Sequence, residues 1–189
     1  NLERNKMTTI GEKCQFFNGK AHEKTINENG RYIVVNSKFI STDGDIKKQS
    51  SEQYFPLFSG DIVMVMSDVP NGKALAKTLL IDSDNKYSLN QRICCIRSNH
   101  YLPEFLKIFL DRHPSLLAFN NGENQTNLRK NDILNCPIPD ISKNEQIIAL
   151  ENFDKVYASL EETKEIFNLK LSRLFELKQK ILVQELGIE

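Results

Sequence analysis

The sequence lacks the segments and motifs that would place it in a membrane or in a common class of enzyme. No apolar run approaches the roughly 18 residues that a bilayer span needs, and no secretory signal peptide opens the chain. There is no phosphate-binding Gly-x-x-x-x-Gly-Lys-Ser/Thr loop, no dinucleotide-binding Gly-x-Gly-x-x-Gly and no Gly-x-Ser-x-Gly nucleophile turn. The Asp/Asn-Pro-Pro-aromatic tetrapeptide of amino-methyltransferases is absent too. We therefore expect a cytosolic protein that is not an enzyme as an isolated chain.

Residues that bind metals or form disulfides are scarce and scattered. The three histidines show no metal-ligand spacing, and no Cys-x-x-Cys pair occurs among the four cysteines, which are Cys14, Cys94, Cys95 and Cys136. We expect buried, reduced thiols and neither a metal site nor a cofactor. Asp61 and Lys77 could be proposed as the acidic residue and the lysine of a nuclease active site. Such pairs arise by chance, however, in a chain with 25 acidic and 25 basic residues.

Basic and acidic side chains balance, so the formal net charge is zero and the pI is about 7.0. A nucleic-acid-binding domain usually carries an excess of basic residues on one face. The balance therefore counts against a chain that coats nucleic acid regardless of its sequence. It leaves room for a local basic patch.

The last quarter of the chain predicts a single long helix. From residue 144 to 188 there is no proline, and the one glycine is Gly187. Ser142 and Glu145, just before this stretch, have the spacing of a capping box. A helix of roughly 45 residues would be about 65 Å long, too long to bury an apolar stripe against a small domain, so we expect it to pack against another long helix. The stripe recurs at alternating steps of three and four: Leu150, Phe153, Tyr157, Leu160, Phe167, Leu171, Leu174 and Ile181.

Two lysines, Lys164 and Lys178, interrupt the stripe. Their stems can lie along the seam with the ammonium groups in water. Alternatively, they can select an antiparallel register by pairing with a glutamate of the partner helix: Glu161, Glu165 or Glu185. A second apolar row widens the face and indicates that a further protein or the head covers the helix: Val156, Ile166, Leu169, Leu177 and Leu182.

The residues before the helix predict a mixed head, so the expected fold class is α/β (α+β), with a head at residues 1–141 and one long C-terminal helix at 142–189. The strongest strand is Asp61–Met66, which is apolar without alternation and hence expected to be buried on both faces. Asp132 is expected to cap a short segment near the end of the head. The other predicted elements are strands at Tyr32–Val35, Ala74–Ile81 and Tyr87–Arg97 (with Asn90-Gln91-Arg92 at its beginning), helices from Pro103 to about Asp111 and from Pro114 through Phe119, and an extended segment at 136–139.

A series of short stretches runs in a fixed order through the chain: Phe17-Asn18-Gly19-Lys20, Phe58-Ser59-Gly60-Asp61 with the strand after it, Asn71-Gly72-Lys73-Ala74, Leu89-Asn90-Gln91-Arg92, Asn124-Gln125-Thr126-Asn127-Leu128, and Pro137-Ile138-Pro139 leading to Glu145-Gln146 and the helix. No single stretch is specific. Together, in this order, they resemble the specificity (S) subunit of type I restriction-modification systems. The chain departs from many members in having no tryptophan near its beginning.

The resemblance implies a half-subunit. A full subunit of that family has two target-recognition domains, each followed by a long helix, and the two helices pair antiparallel; this chain has one of each. It would be either a natural half-subunit that forms a homodimer or a piece of a longer chain, and a start at Asn1 fits both. The domain would read a half-site of a bipartite sequence in double-stranded DNA, and the helices would set the spacing. Methylation and cleavage would belong to the methyltransferase (M) and restriction (R) subunits.

Reading bases directly requires amide and guanidinium groups on loops, because arginine pairs with guanine, and asparagine or glutamine with adenine. Lysines more often contact phosphates, which position the protein without specifying a sequence. Each candidate for DNA contact could instead be a solvated turn residue, or it could hold loops together by hydrogen bonds. The candidate DNA-binding residues are Asn18, Lys20, Asn36, Lys38, Lys47, Lys48, Ser67, Asn71, Lys73, Gln91, Arg92, Asn124, Gln125 and Asn127.

Two other functions fit the sequence. The chain could be the C-terminal recognition domain of a single-chain restriction–methylation enzyme, with the catalytic domains upstream of Asn1. It could also be a coiled-coil scaffold with no role at DNA, which predicts a dimer without sequence-dependent binding.

Overall fold

The structure is a computed structural model that describes residues 6–69, 72–120 and 122–187. The chain divides into two units: Asn1–Gln146, here called the head, and Ile147–Glu189, here called the tail. The head mixes strands and helices and a long helix continues into the tail, so the predicted fold class is confirmed. Within the described ranges, no helix is both long enough and apolar enough to cross a membrane.

Most elements of the head are short, and one helix of 44 residues begins in the head and runs through the tail. In chain order the elements are β1 (Met7–Thr9), α1 (Ile10–Lys13), β2 (Gln15–Asn18), β3 (Tyr32–Val35), α2 (Ser37–Ser41), β4 (Gln49–Ser50), β5 (Ile62–Val65), β6 (Ser67–Asp68), β7 (Thr78–Leu80), β8 (Tyr87–Leu89), β9 (Ile93–Arg97), α3 (Pro103–Leu110), α4 (Pro114–Leu117), β10 (Thr126–Asn127), α5 (Lys130–Leu134), β11 (Pro137–Pro139) and α6 (Lys143–Leu186).

The core of the head is built on a four-stranded antiparallel sheet in the order β2-β9-β5-β7. All four residues of β5 are buried, as predicted, because a strand that is covered on both faces needs no polar side. Two rows of paired residues cross the sheet: Asn18, Cys94, Met64 and Thr78 in one, and Phe16, Ile96, Ile62 and Leu80 in the other. We call the end nearer the first row, where β2 and β5 finish and β9 and β7 begin, the loop end.

A second sheet has the order β4-β3-β8, with β3 and β8 parallel. Because β8 and β9 belong to different sheets, the prediction of one strand over Tyr87–Arg97 is wrong. The chain breaks at Asn90–Arg92, where Arg92 has φ +65°, a left-handed conformation that regular strands exclude. Apolar residues continue on both sides of this turn, so the pattern of the sequence does not reveal it.

The predicted strand Ala74–Ile81 is also too long, since only Thr78–Leu80 forms β7. Ala76 has φ +56°, and its carbonyl oxygen accepts a hydrogen bond from Arg112 N at 2.9 Å. The residues before β7 therefore form a loop that closes on the segment after α3. The helices that begin at Pro103 and Pro114 are confirmed, although the second ends at Leu117.

A buried ion pair links the segment before β5 to the end of β9. Asp61 is 1% exposed, and Arg97 donates from Nε to Asp61 Oδ1 at 2.6 Å and from Nη2 to Oδ2 at 2.8 Å. The guanidinium carbon also lies 5.1 Å from the ring centre of Phe17 and 5.0 Å from that of Phe58. The hydrogen bonds to Asp61 raise the pKa of Arg97. The pair therefore satisfies a carboxylate that burial would otherwise destabilise.

Two predicted helix caps are confirmed. At the start of α6, Glu145 Oε2 accepts from Ser142 N at 2.7 Å and Ser142 Oγ accepts from Glu145 N at 3.3 Å. Hydrogen bonds from the Ser142 hydroxyl and amide lower the pKa of Glu145. At the start of α5, Asp132 Oδ2 accepts from Arg129 N at 2.7 Å.

The first turn of α6 is held in the head by one buried amide. Gln146 is completely buried, and its Oε1 accepts a hydrogen bond from Leu102 N at 2.7 Å. Its Nε2 donates to the carbonyl oxygens of His100 at 3.3 Å and Ile141 at 3.1 Å. The side chain thus joins the beginning of the long helix to the loop that precedes α3.

Burial of the cysteines is confirmed for three of them, while Cys14 is partly exposed; all four are free thiols. Desolvation raises the pKa of Cys94 to about 12 and that of Cys136 to about 11, so these thiols stay protonated near neutral pH. Among the residues that the structure describes, no three His, Cys, Asp or Glu side chains come together as metal ligands.

We expect Asp61→Asn to destabilise the head by about 2 kcal/mol, because the guanidinium of Arg97 would face a neutral amide. Arg97 is 32% exposed, so the loss stays below the about 3–5 kcal/mol of a fully buried broken pair. Urea unfolding followed by tyrosine fluorescence measures the change. The exposed Asp45→Asn is the matched control and should change the free energy of unfolding by less than about 0.5 kcal/mol. Equal values for the two variants would contradict the importance of the pair.

We also expect Gln146→Leu to loosen the start of α6, because Leu102 N would lose its acceptor inside the protein. Hydrogen exchange at the Leu102 amide should become at least about tenfold faster, which corresponds to a loss of about 1.4 kcal/mol. The exposed Asn144→Leu, in the same turn, should leave this exchange unchanged. Unaltered protection in Gln146→Leu would show that the amide does not hold the turn.

Candidate nucleic-acid interface

The loop end collects polar residues from all four strands of the central sheet. Because neighbouring strands are antiparallel, β2 finishes there with Asn18, β9 begins after Gln91 and Arg92, β5 finishes before Ser67, and β7 begins after Lys73. Ser67 is partly exposed and the other four residues are exposed. Residues that are far apart in the sequence therefore share one edge of the head.

The turn before β9 is joined to the segment after β2. Lys20 N donates to Leu89 O at 3.1 Å, and Gln91 N donates to Lys20 O at 3.1 Å. The Gln91 side chain donates from Nε2 to Glu23 Oε1 at 2.7 Å, so part of its hydrogen-bonding capacity is already used within the head. Lys20 and Arg92 are exposed and bring positive charge to this turn.

The end of β3 adds Asn36 to the same edge, since Asn90 N donates to Val35 O at 3.1 Å. Asn36 Oδ1 accepts from Phe39 N at 2.9 Å and caps α2. Its acceptor is thus used for structure, and the amide nitrogen is the group that it could offer to DNA. Lys38 lies exposed in the first turn of this helix.

The short strands β6 and β10 pair antiparallel and place Ser67 opposite Asn127. Gln125 Nε2 donates to Ser67 Oγ at 2.8 Å and to Asn127 Oδ1 at 3.4 Å. Met66 connects this pair to the turn before β9, because its amide donates to Arg92 O at 2.9 Å and its carbonyl accepts at 2.7 Å from the amide that follows Asn127. Three predicted residues, Ser67, Gln125 and Asn127, therefore lie together and are connected through Met66 to Arg92.

A cleft of about 710 Å³ beside the loop end contains three basic side chains, those of Lys73, Lys77 and Arg112. Lys77 Nζ lies 3.1 Å from Asp43 Oδ2, and Arg112 Nη1 donates to the carbonyl oxygen of Lys73. Sequence reasoning missed Lys77 and Arg112 as possible DNA contacts. Arg112 follows α3, and only the fold brings it to the loop before β7, so the sequence contained no local signal for it.

His22 is a second residue that sequence reasoning missed. It is 1% exposed, with Nδ1 2.7 Å from Lys20 O and 3.3 Å from Asn90 Oδ1, and Nε2 2.8 Å from Ser88 Oγ. An Nδ1–H that donates to Lys20 O leaves Nε2 as the acceptor from the Ser88 hydroxyl. The ring thus fixes the backbone at Lys20, which is an exposed candidate. A lone histidine between turns gives no pattern from which this role could be predicted.

Lys47 has surroundings less suited to phosphate. It lines a cavity of about 350 Å³ together with three aspartates, Asp43, Asp45 and Asp82, and one further lysine, Lys86. The hydroxyl of Tyr87 donates to Asp82 at 2.8 Å and lowers the pKa of that carboxyl. Around Lys47 the three carboxylates outnumber the one other ammonium group, that of Lys86, which makes the site less favourable for a phosphate.

The remaining candidates lie on loops. Lys48 is exposed just before β4, and its carbonyl oxygen accepts from Val34 N at 2.8 Å. Asn124 is exposed in the loop before β10 and lines a cavity of about 390 Å³ with Gln125 and Asn127. Asn71 lies outside the described residues.

The tail presents a second candidate surface, of a different kind. Every residue of the predicted stripe except Leu150, which is partly exposed, is exposed, from 42% for Phe153 to 70% for Phe167. Such a long apolar row is typical of a surface that another protein covers. Lys164 interrupts the row, and its Nζ lies 3.1 Å from Glu161 Oε2 of the same helix.

Comparisons with known proteins agree with this architecture. A family model described as "Type I restriction modification DNA specificity domain" matches residues 3–170. No curated protein matches in a sequence search. Similar solved structures include a chain reported under "complex assembly and conformational transition of the type I R-M system" (TM-score 0.69, 17% identity, 92% of this chain and 44% of that chain).

Two further structures have the same fold. The HsdS subunit from Thermoanaerobacter tengcongensis aligns with a TM-score of 0.62 and 16% identity over 84% of this chain and 39% of its own. The type I restriction-modification S subunit from M. genitalium aligns with a TM-score of 0.55 and 21% identity over 88% and 44%. This chain spans less than half the length of each. The family model covers nearly all of the head and the helix as far as residue 170, and the chain therefore belongs to the type I restriction modification DNA specificity domain family.

Proposed function

We propose that the chain is the DNA-recognition subunit of a type I restriction-modification complex. The head reads one half of a bipartite site, and two copies paired through their tails hold two heads at a fixed spacing. The observation that carries the proposal is the loop end, where exposed amides and cations from separate segments meet on one edge of a domain of this family. Like a full subunit with its two domains, the pair would bring two heads together.

The chemistry of the loop end suits base reading better than general affinity for DNA. Arg92 has the fork of donors that guanine accepts, and the amide of Asn127 can pair with adenine. Lys20, Lys38 and Lys73 are exposed and suited to phosphates, which fix the register of a protein on the duplex. Because the whole chain has no net charge, we infer that partner subunits supply much of the affinity for the phosphate backbone.

The partners and the reaction belong to the same proposal. M subunits bound to the paired chains transfer the methyl group, the R subunit cleaves DNA, and the chain itself selects the site without catalysis. The complex acts in the cytoplasm. The recognition domain of a single-chain enzyme is the rival, and it predicts one contiguous half-site rather than two symmetric ones.

The first test is sequencing of methylated bases in cells that carry this chain with its candidate M partner. We expect a symmetric motif with a gap, because a two-fold axis would relate two identical heads. A contiguous one-sided motif would favour the single-chain enzyme. Absence of any new motif, with the complex shown to be assembled, would contradict the proposed function.

The second test removes one reading group. Arg92→Ala should lower methylation of the cognate site about 5- to 150-fold and relax the preference at one base, because a bidentate contact discriminates by about 1–3 kcal/mol. Arg31→Ala is the matched control, since Arg31 is exposed just before β3, at the opposite end of that strand from Asn36. Equal methylation by the two variants would exclude Arg92 from the interface.

The third test concerns the tail. Leu171→Glu should weaken self-association at least about 100-fold, because the seam of each pair would then contain two carboxylates without partners. The same substitution at Leu169, which is exposed on another face, should leave the dimer intact. Sedimentation equilibrium measures both. An unchanged dimer in Leu171→Glu would place the seam elsewhere.

A further inference from the structure

The tail contains information about how two copies would meet. Its apolar row repeats with a seven-residue period over more than four repeats, which is long enough for a coiled coil. One core position of each repeat, here called position a, holds Leu150, Tyr157, Lys164, Leu171 and Lys178. The other, here called position d, holds Phe153, Leu160, Phe167, Leu174 and Ile181.

The resemblance to the family implies that two tails pair antiparallel, and we propose the single register in which they do so, with the two-fold axis between Glu165 and Ile166. The occupant of the apolar row is therefore a second copy of this chain. The inference rests on the homodimer of the proposed function and goes further, because it specifies which side chains meet. It is argued from the positions of charged residues in and beside the row.

The two lysines in the row decide the orientation. In a parallel pair each core residue faces its own copy, so Lys164 would meet the partner's Lys164 and Lys178 would meet the partner's Lys178. Two like-charge contacts in the seam would oppose this arrangement. In an antiparallel pair position a faces position d, so each lysine meets an apolar side chain of the partner and not another lysine.

The length of the row selects the register. Its two ends overlap completely when Leu150 of one copy faces the partner's Ile181. Lys164 then faces the partner's Phe167, and Phe153 faces the partner's Lys178. Because Lys164 Nζ reaches Glu161 on its own helix, its ammonium can stay at the rim while its stem covers the ring. In the layers between these, Leu160 packs against the partner's Leu171, and Tyr157 packs against the partner's Leu174.

Residues that flank the row agree with this register. In an antiparallel coiled coil the flanking positions meet their equivalents on the partner. Val156 then lies beside the partner's Leu177, Glu161 beside the partner's Asn168, and Thr163 beside the partner's Lys170. Asp154 beside the partner's Phe175 is the one poor match. No two like charges meet at a flank.

A slip of one heptad in either direction creates like-charge pairs at the axis. In one direction Glu161 faces the partner's Glu161, and Leu150 and Phe153 keep partners while Lys178 and Ile181 lose theirs. In the other direction Lys170 faces the partner's Lys170, and Leu150 and Phe153 lose their partners. The central register avoids both repulsions, so charge and apolar length select the same arrangement.

The register has a consequence for DNA recognition. Slipping by seven residues changes the axial distance between equivalent residues of the two copies by about 10 Å, at 1.5 Å per residue. On DNA this is about 3 base pairs at 3.4 Å each. A single register is thus what a fixed gap between half-sites requires.

Disulfide trapping of the full chain tests the register. Leu160→Cys with Leu171→Cys should give a covalent dimer on oxidation, because these positions face each other. Within one helix they are about 16 Å apart, too far for an internal disulfide. Phe153→Cys with Leu171→Cys reports one slipped register, Tyr157→Cys with Ile181→Cys reports the other, and Leu174→Cys alone reports a parallel pair.

We expect at least about tenfold more covalent dimer from the first pair than from any of the other three. Equal or greater trapping by a slipped or parallel reporter would overturn the register while leaving the homodimer intact. A monomer in sedimentation would overturn the homodimer itself. As a further arm, Lys164→Leu with Lys178→Leu removes the like-charge penalty, and trapping through Leu174→Cys should then appear; its absence would show that the lysines do not set the orientation.

Discussion

The exposed apolar row of the tail is the constraint on which the architecture depends. It is about 47 Å long at 1.5 Å per residue from Leu150 to Ile181. An isolated amphipathic helix gains most of its stability from packing of its apolar face, and an uncovered face of this size promotes association. In the proposed function, the tail of a second copy satisfies both requirements.

A helix can set a spacing only if its beginning is fixed to the domain that it positions. Within the head, the first turn of α6 is attached through Gln146, which is completely buried and bonds to three backbone groups. At the same end of the head, Arg97 and Asp61 fix the ends of the central strands opposite the loop end. Polar side chains are therefore buried and hydrogen-bonded at one end of the head, and exposed at the other end, where we propose that DNA is read.

The sequence predicts those features that depend on neighbouring residues. The buried strand β5, the capping box of Ser142 and Glu145, the helix at Pro103 and the long tail all follow from local pattern. The break between β8 and β9 does not, because the left-handed residue at the turn is Arg92 and not the glycine that usually marks such a turn.

The candidate site shows the same division. Loop chemistry predicts Gln125 and Ser67 as candidates, and the fold brings Gln125 Nε2 within 2.8 Å of Ser67 Oγ. Arg112 and His22 were missed because their roles depend on strand register and on contacts between distant segments. Such contacts have no periodic signature, so a single sequence predicts which loops are polar but not which of them meet.

In the proposed pair of tails, the lysines set recognition against stability. Leucine at both positions would bury more apolar surface and strengthen association. It would also remove the difference between parallel and antiparallel pairs, and a parallel pair would point both heads in the same direction. For a proposed function that needs a defined separation between two heads, a weaker pair with one arrangement serves better than a stronger pair with several. The same reasoning explains why uninterrupted apolar character is not the best seam for a helix that sets a distance.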